Sequence, residues 1–329
     1  MKYKLMIAAL VLGTGFCANG MNRVAAEEAG IETKLIDAMN TLFGKHPGLR
    51  ANHAKGLVTQ GVFKPSPEAA GISKAILFKG ESIPVTLRFS DATGVPLIPD
   101  GSPNANPHGA AIKYHLPDGS ETDMVLVSFK FFPIGTAEDF LTLLQAIAAS
   151  PPDAAKPTAL ERFAASHPSV AAANATLATP ASFAEEHYFG INAFIFTDAK
   201  GKTQAVRYQL VPDKLAHLSA EEAAKRAPDF LKTELTERLA KTPALFHLKA
   251  QLAAQGDDTK DPSKPWPDDR KIIDLGTITI EKIVPDSATA EKALLYLPGQ
   301  VTEGIDVSDD PMIGIRDSSY AVSFSRRSQ

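Results

Sequence analysis

Apolar positions along the chain alternate between two spacings, and the changes divide it into elements. From Glu28 to Leu42 they fall at Ile31, Leu35, Ile36, Met39 and Leu42, one face of a helix. Phe43-Gly44-Lys45-His46-Pro47-Gly48 breaks that pattern. Extended chain follows. Leu57 to Phe63 reads as a strand, and Ile83 to Ser90 alternates at Val85, Leu87 and Phe89. Gly94 to Pro107 is rich in Gly, Pro, Asn and Asp and reads as a loop. Asn106 to Tyr114 enters a further strand, Asp118-Gly119 marks a turn, and Asp123 to Phe132 reads as the next strand. Helical spacing returns from Asp139 to Ser150. The stretch from Pro151 to Pro180 is rich in Ala and Pro, with a short helix expected around Pro168 to Leu177.

Tyr188 to Phe196 and Gln204 to Leu210 form an expected hairpin around Asp198-Ala199-Lys200-Gly201. Ser219 to Leu239 reads as charged helix, and Ser219 with Glu222 has the form of a capping box. Phe246 to Ala254 and Ile272 to Ile283 read as strands. Asp309-Asp310-Pro311 then provides a cap and a helix start for a terminal helix. Strands through 57–132 and 188–283, interrupted by helices, predict an α+β fold: an antiparallel β-barrel with surrounding helices. No repeat of 20–50 residues is present.

The first residues form an address, not part of the fold. Lys2 and Lys4 precede an apolar stretch from Leu5 to Cys17, and Val24-Ala25-Ala26 offers small residues before Glu27. The stretch is shorter than the roughly 20 apolar residues that a membrane span needs. Residues 1–26 are therefore expected to be a signal peptide and residues 27–329 one domain. The expected location is the periplasm, with no stable membrane insertion after cleavage. Cys17 is the only cysteine, so the mature chain has no thiolate for a disulfide or for metal ligation. The formal net charge of −4 over 329 residues disfavours nucleic acid as a partner.

Candidate chemistry lies at two distant places. On the terminal helix, Arg316 and Tyr320 are four apart and share a face, and Arg327 returns to it seven residues later. Positive charge beside a phenol favours its anion, a hard oxygen ligand suited to Fe(III). Alone, these residues read better as a packed tyrosine with two solvated arginines. Far upstream stands Arg50-Ala51-Asn52-His53-Ala54-Lys55-Gly56. That run resembles the distal-histidine motif of haem catalases, and Arg316-x-x-x-Tyr320 resembles their proximal tyrosine motif. The strand Val85-Thr86-Leu87-Arg88-Phe89-Ser90 is similar to their Val-Arg-Phe-Ser strand. Asn106-Pro107-His108-Gly109 is similar to their Asp-Pro-Arg-Gly stretch. The hairpin start and Asp261-Pro262-Ser263-Lys264-Pro265-Trp266-Pro267 also match, so the likeness runs from about Leu49 to Arg327. The chain resembles the short, exported, catalase-related haem peroxidases.

The resemblance implies a catalase-like barrel that binds haem b through its iron. Tyr320 would be the iron ligand, a role taken from the family and not from spacing, with Arg316 lowering its proton affinity. His53 would take and return the peroxide proton, with Ser90 supporting it. Arg50, Arg88 and Arg327 would hold the propionates, since charge-assisted pairs to Arg are the strong way to bind carboxylates. Two departures are visible. His108 stands where the family has arginine. Val127 and Ser128 stand where the large catalases carry the distal asparagine of an Asn-Thr-Pro run. Loss of that positioned hydrogen bond weakens orientation of a second peroxide. The expected function is therefore reduction of hydrogen peroxide or organic peroxides with a small organic reductant. True catalase activity, non-catalytic haem binding and hydroperoxide rearrangement remain as alternatives. The natural donor, the preferred peroxide and the oligomeric state are left open.

Overall fold

The computed structural model describes residues 29–328, so the expected signal peptide and its cleavage site lie outside the described residues. Helix α1 (Ile31–Phe43) leads to strand β1 (Gly56–Pro65), then β2 (Ile83–Ser90), β3 (Gly109–His115) and β4 (Glu121–Val127). Three helices follow: α2 (Ala137–Ala148), α3 (Ala159–Ser166) and α4 (Pro168–Asn174). Short strands β5 (Thr179–Pro180), β6 (Tyr188–Phe189) and β7 (Phe194–Thr197) precede the long β8 (Thr203–Pro212) and β9 (His217–Leu218). Helices α5 (Ala220–Ala224) and α6 (Phe230–Leu239) come before β10 (Ala244–Leu252) and β11 (Ile272–Ile283). The chain ends with α7 (Ser287–Ala293), β12 (Ile305–Val307) and α8 (Pro311–Arg327).

Eight of these strands close on themselves. The order is β10-β11-β1-β2-β3-β4-β6-β8, and β8 returns to β10 over Phe246↔Pro212 through Leu252↔Val206. All of these pairings are antiparallel, and closure removes the free edges that an open sheet would expose. Strands β7 and β12 extend the sheet from β8 outside the barrel. The interior is filled by alternate residues of each strand, among them Phe63, Leu87, Phe89, Ile112, Tyr114, Phe246, Leu248 and Ile278. Each of these side chains is at most 1% exposed, so they form a packed core. Register slips at Gln60/Gly61, where a Cβ on Gly61 would run into Thr279 O; glycine permits that close approach.

Outside the barrel, α1, α2 and α8 share a second core of Leu35, Ile36, Met39, Leu144 and Met312. This layer carries the terminal helix against the barrel. Among the described residues no helix is long and apolar enough to cross a membrane.

Strands β2 and β11 have the expected limits. The strand expected over Asp123 to Phe132 stops at Val127, because the backbone turns to other partners: Ser128 N donates to His108 O at 2.8 Å and Phe132 N to Pro262 O at 2.9 Å. The expected hairpin is interrupted at Gly190–Ala193, which separates β6 from β7. The helix expected over Ser219 to Leu239 is two helices, broken at Ala227-Pro228-Asp229 where proline forbids continuation. Its capping box forms as expected. Helices α3 and α7, absent from the sequence reading, are short and mostly polar or alanine-rich.

Candidate active site

The site is built from three groups of side chains. The first hangs from the turn before β1. His53 adopts φ +55°, a left-handed conformation uncommon in a residue with a side chain. Such a residue costs roughly 1–3 kcal/mol and persists where its surroundings fix it. Arg88 Nη2 donates to the His53 carbonyl at 2.8 Å, and Ala54 N donates to Thr93 O at 3.0 Å. The imidazole Nδ1 lies 3.1 Å from Ser90 Oγ at the end of β2. Ser90 pairs with Gly109 across β2 and β3. A Cβ on Gly109 would stand 2.8 Å from Ser90 Oγ and 3.3 Å from two atoms of the His53 ring, so glycine makes room for the imidazole. Burial, reinforced by the nearby Arg88 cation, pushes the His53 pKa down to about 4. The ring is neutral near pH 7.

The second group is a cage of three arginines. Arg88 donates to Glu291 Oε2 through Nε at 3.0 Å and Nη2 at 2.8 Å. Arg50 Nη1 approaches the same oxygen at 3.3 Å, and its Nη2 donates to Leu294 O at 2.8 Å. Arg327 Nη2 donates to that carbonyl as well, at 2.6 Å. One carboxylate thus accepts from two guanidinium groups, and the third, Arg327, is near enough to feel its charge. Burial, with Arg88 and Arg327 next, holds the Arg50 pKa well below its usual value. Burial and then Arg88 bring Arg327 down to about 10. Arg327 Nε and Tyr296 Oη are buried with no hydrogen-bond partner among the described residues. The cage has donors and positive charge to spare, the condition for holding a further anion.

The third group lies on α8. Asp310 caps that helix by accepting from Met312 N at 2.8 Å. It also accepts from Asn192 Nδ2 at 2.6 Å, and Asn192 Oδ1 accepts from Arg316 Nη1. Arg316 Nε then reaches Tyr320 Oη at 3.2 Å. The helix cap, the amide, the guanidinium and the phenol form one chain. The groups meet where Ala51 N donates to Ser323 Oγ, 3.3 Å away and one turn beyond Tyr320.

A family model described as Catalase matches residues 31–328. The chain belongs to the catalase family. It is 36% identical over 297 residues to the "Catalase-related peroxidase" of Mycolicibacterium paratuberculosis (strain ATCC BAA-968 / K-10), covering 89% of this chain and 93% of that one. The "Catalase-related peroxidase" of Synechococcus elongatus is 32% identical over 333 residues, covering 98% and 94%. Among solved structures, catalase A from Saccharomyces cerevisiae superposes with a TM-score of 0.76 at 20% identity. That match covers 89% of this chain and 64% of the yeast chain.

The seven residues singled out in the sequence fall into these three groups: His53 with Ser90, Arg316 with Tyr320, and Arg50, Arg88 and Arg327 in the cage. Arg88 joins the first group to the second, because it holds both the His53 carbonyl and Glu291. Arg327, two residues from the chain end, is 7% exposed and not a solvated terminal arginine. The sequence reading passed over Glu291 and Asn192. Glu291 stands in Ala290-Glu291-Lys292 with no motif around it, and only folding brings it to the cage. At the departure from the large catalases, Ser128 is buried and its Oγ accepts from His108 N at 3.0 Å.

Proposed function

We propose that this chain is a haem peroxidase that reduces hydrogen peroxide or organic peroxides with small organic electron donors. The observation that carries the reading is the meeting of three separate parts of the chain at one cage. Arg50, Arg88 and Arg327 come from the His53 turn, from β2 and from the end of α8, and they meet at the Glu291 carboxylate and the Leu294 carbonyl. Haem b fits that set, since its two propionates match the surplus of guanidinium donors, with Tyr320 as the ligand to iron. When bound, haem supplies the ferric centre at which the O–O bond is broken and the oxidising equivalents are held.

The residues do the rest. Arg316 donates to the Tyr320 oxygen and favours its anion. His53, neutral at pH 7, takes the proton of the peroxide and returns it to the leaving oxygen, so its imidazole must face the peroxide with Nε2 while Nδ1 is held by Ser90. The proton that leaves one oxygen and arrives at the other produces water from hydrogen peroxide, or an alcohol from an organic peroxide. A small organic donor then supplies the electrons.

Val127 and Ser128 provide no amide where large catalases have one, and the Ser128 hydroxyl is engaged by the His108 backbone. This favours donor oxidation over dismutation. Oxygen evolution and donor oxidation, measured on one haem-loaded preparation, test it: donor oxidation is expected to dominate, and dominant oxygen evolution would overturn the assignment in favour of catalase. Retention of haem with no peroxide turnover would leave a binding protein, and a rearranged fatty-acid hydroperoxide product would point to that chemistry.

A Gly109→Ala variant tests the packing behind the imidazole. Its methyl meets Ser90 Oγ and the His53 ring. Displacement on the order of 1 Å costs about 100-fold in a positioned reaction, so the rate with peroxide is expected to fall by about 10- to 100-fold. Haem binding, which uses the other groups, is expected to be retained. Residues 1–26 act in this proposal as an export signal to the periplasm. N-terminal sequencing of the protein from a periplasmic fraction is expected to begin close to Glu27.

A further inference from the structure

Behind the His53–Ser90 pair lies a second titratable pair with no part in the mechanism above. Asp91 follows Ser90 and His108 precedes Gly109, so the two residues that pack against the His53 ring are each joined by one peptide bond to a member of this pair. Asp91 is 1% exposed and His108 0% exposed. His108 Nε2 stands 3.3 Å from Asp91 Oδ1. Both ring nitrogens of His108 and both oxygens of Asp91 are nevertheless without a hydrogen-bond partner among the described residues. Buried polar atoms in native structures are nearly always paired, and four such atoms at one place mark a group kept for a reason other than packing. Both residues belong to this chain's departures or lie beside them: His108 stands where the resemblance expects arginine.

The surroundings are charged from several elements. Lys55, just before β1, has its Nζ 3.8 Å from Asp91 Oδ2 and is also bound by Asp100 and by Asp229, at 2.8 Å from the latter. Burial, and then Asp91, raise the Asp100 pKa to about 7, and Leu231 N donates to its other oxygen at 2.7 Å. On the far side, Glu186 is buried and acts on His108, while His217 Nε2 lies 3.2 Å from Glu186 Oε1. The buried Tyr188 feels both Glu186 and Asp91. Phe183 closes the cluster with its ring 5.8 Å from that of His108. Arg88 faces His53 from β2. Among the described residues no group of three or more His, Cys, Asp or Glu is spaced to hold a metal ion.

We propose that Asp91 and His108 are positioning residues of the distal site, a buried acid–base couple whose two members offset one another beside the His53 imidazole, so that neither biases how readily it takes a proton. The inference rests on the reading of His53 as the peroxide acid–base group. The two members act on His53 in opposite senses, the carboxylate favouring its protonated form and a histidinium opposing it. Because they are paired, the intact couple leaves His53 nearly unbiased, and either member alone does not. No covalent or redox step is involved; the couple works through its field.

The test is an NMR titration of the His53 ring in the full chain, selectively labelled at histidine Cε1, beside the pH profile of peroxide reaction in the haem-loaded protein. A unit charge within about 10 Å, at an effective dielectric near 20, is worth roughly one pH unit. Asp91→Asn is expected to lower the His53 midpoint by about that much, and His108→Gln to raise it, with the double variant between them. The acid limb of the pH profile should move with each. Unmoved midpoints, or shifts of the same sign in both variants, would overturn the proposal. If Asp91→Asn does not fold, the sign of the His108→Gln shift decides alone. Failure of the broader reading looks different: His53→Gln would then leave peroxide reaction unchanged whatever the titrations show.

Discussion

A Tyr320→Phe variant supplied with haem is expected to lose the high-spin ferric tyrosinate spectrum and to bind haem at least about 100-fold more weakly. Loss of an outer partner of a metal ligand commonly costs 10- to 100-fold, and loss of the ligand itself costs more. The substitution is mild for the fold. Only the phenol oxygen is removed, and its hydrogen bond comes from Arg316, which keeps its contact with Asn192. Helix α8 retains its Asp310 cap and its packing through Met312. Circular dichroism and thermal unfolding are therefore expected to match the parent. Arg316→Ala should show the weaker effect of an outer partner, with the spectrum shifted and haem affinity reduced by about 10- to 100-fold. A Tyr320→Phe protein whose absorption spectrum equals the parent's would refute tyrosinate ligation.

The second large effect concerns His53. Removal of a positioned acid–base group costs about 100- to 10,000-fold, so His53→Ala is expected to slow the reaction with peroxide by that factor while haem stays bound. The pH dependence follows from the depressed pKa of about 4. Above that pH the ring is neutral and accepts the proton, so the parent rate should be flat from about pH 5 to 8 and fall as the pH drops through 4. His53→Ala should lose this limb along with the rate. Stability moves in the same direction. The folded pKa lies below the value of about 6.5 for a free histidine, so the folded chain binds fewer protons between those values. Stability from this group is complete above about pH 6.5 and is lost as the pH falls through 4. Urea unfolding midpoints should decline over that window in the parent and decline less in His53→Gln. Stopped-flow rates and unfolding curves on the same samples check both limbs.

Much of the architecture was legible because it rests on local rules. Alternation of Val85, Leu87 and Phe89 requires one face of β2 to be buried, and all three are at most 2% exposed. The Asp310-Pro311 start of α8 and the Ser219–Glu222 box are short-range hydrogen-bond chemistry, and both form. The strand overrun at Ser128 to Phe132 has the opposite origin. Phe129 and Phe131 alternate with the polar Ser128 and Lys130, but the backbone finds partners at His108 and Pro262, which no local pattern announces.

The site divides in the same way. Residue type and spacing alone placed Arg316 beside Tyr320, because a helix brings positions four apart together whatever surrounds it. The likeness to catalase motifs added His53, Ser90, Arg50 and Arg88 as a set. What only the folded chain decided was the company they keep. Arg50, Arg88 and Arg327 lie far apart in sequence and meet at Glu291 and Leu294, and Asp91 and His108 close a buried pair behind the imidazole. Periodicity and capping act over a few residues and can be read along a line. Charge balance in a buried site depends on every group within several ångströms, and the closing of the barrel alone sets which groups those are.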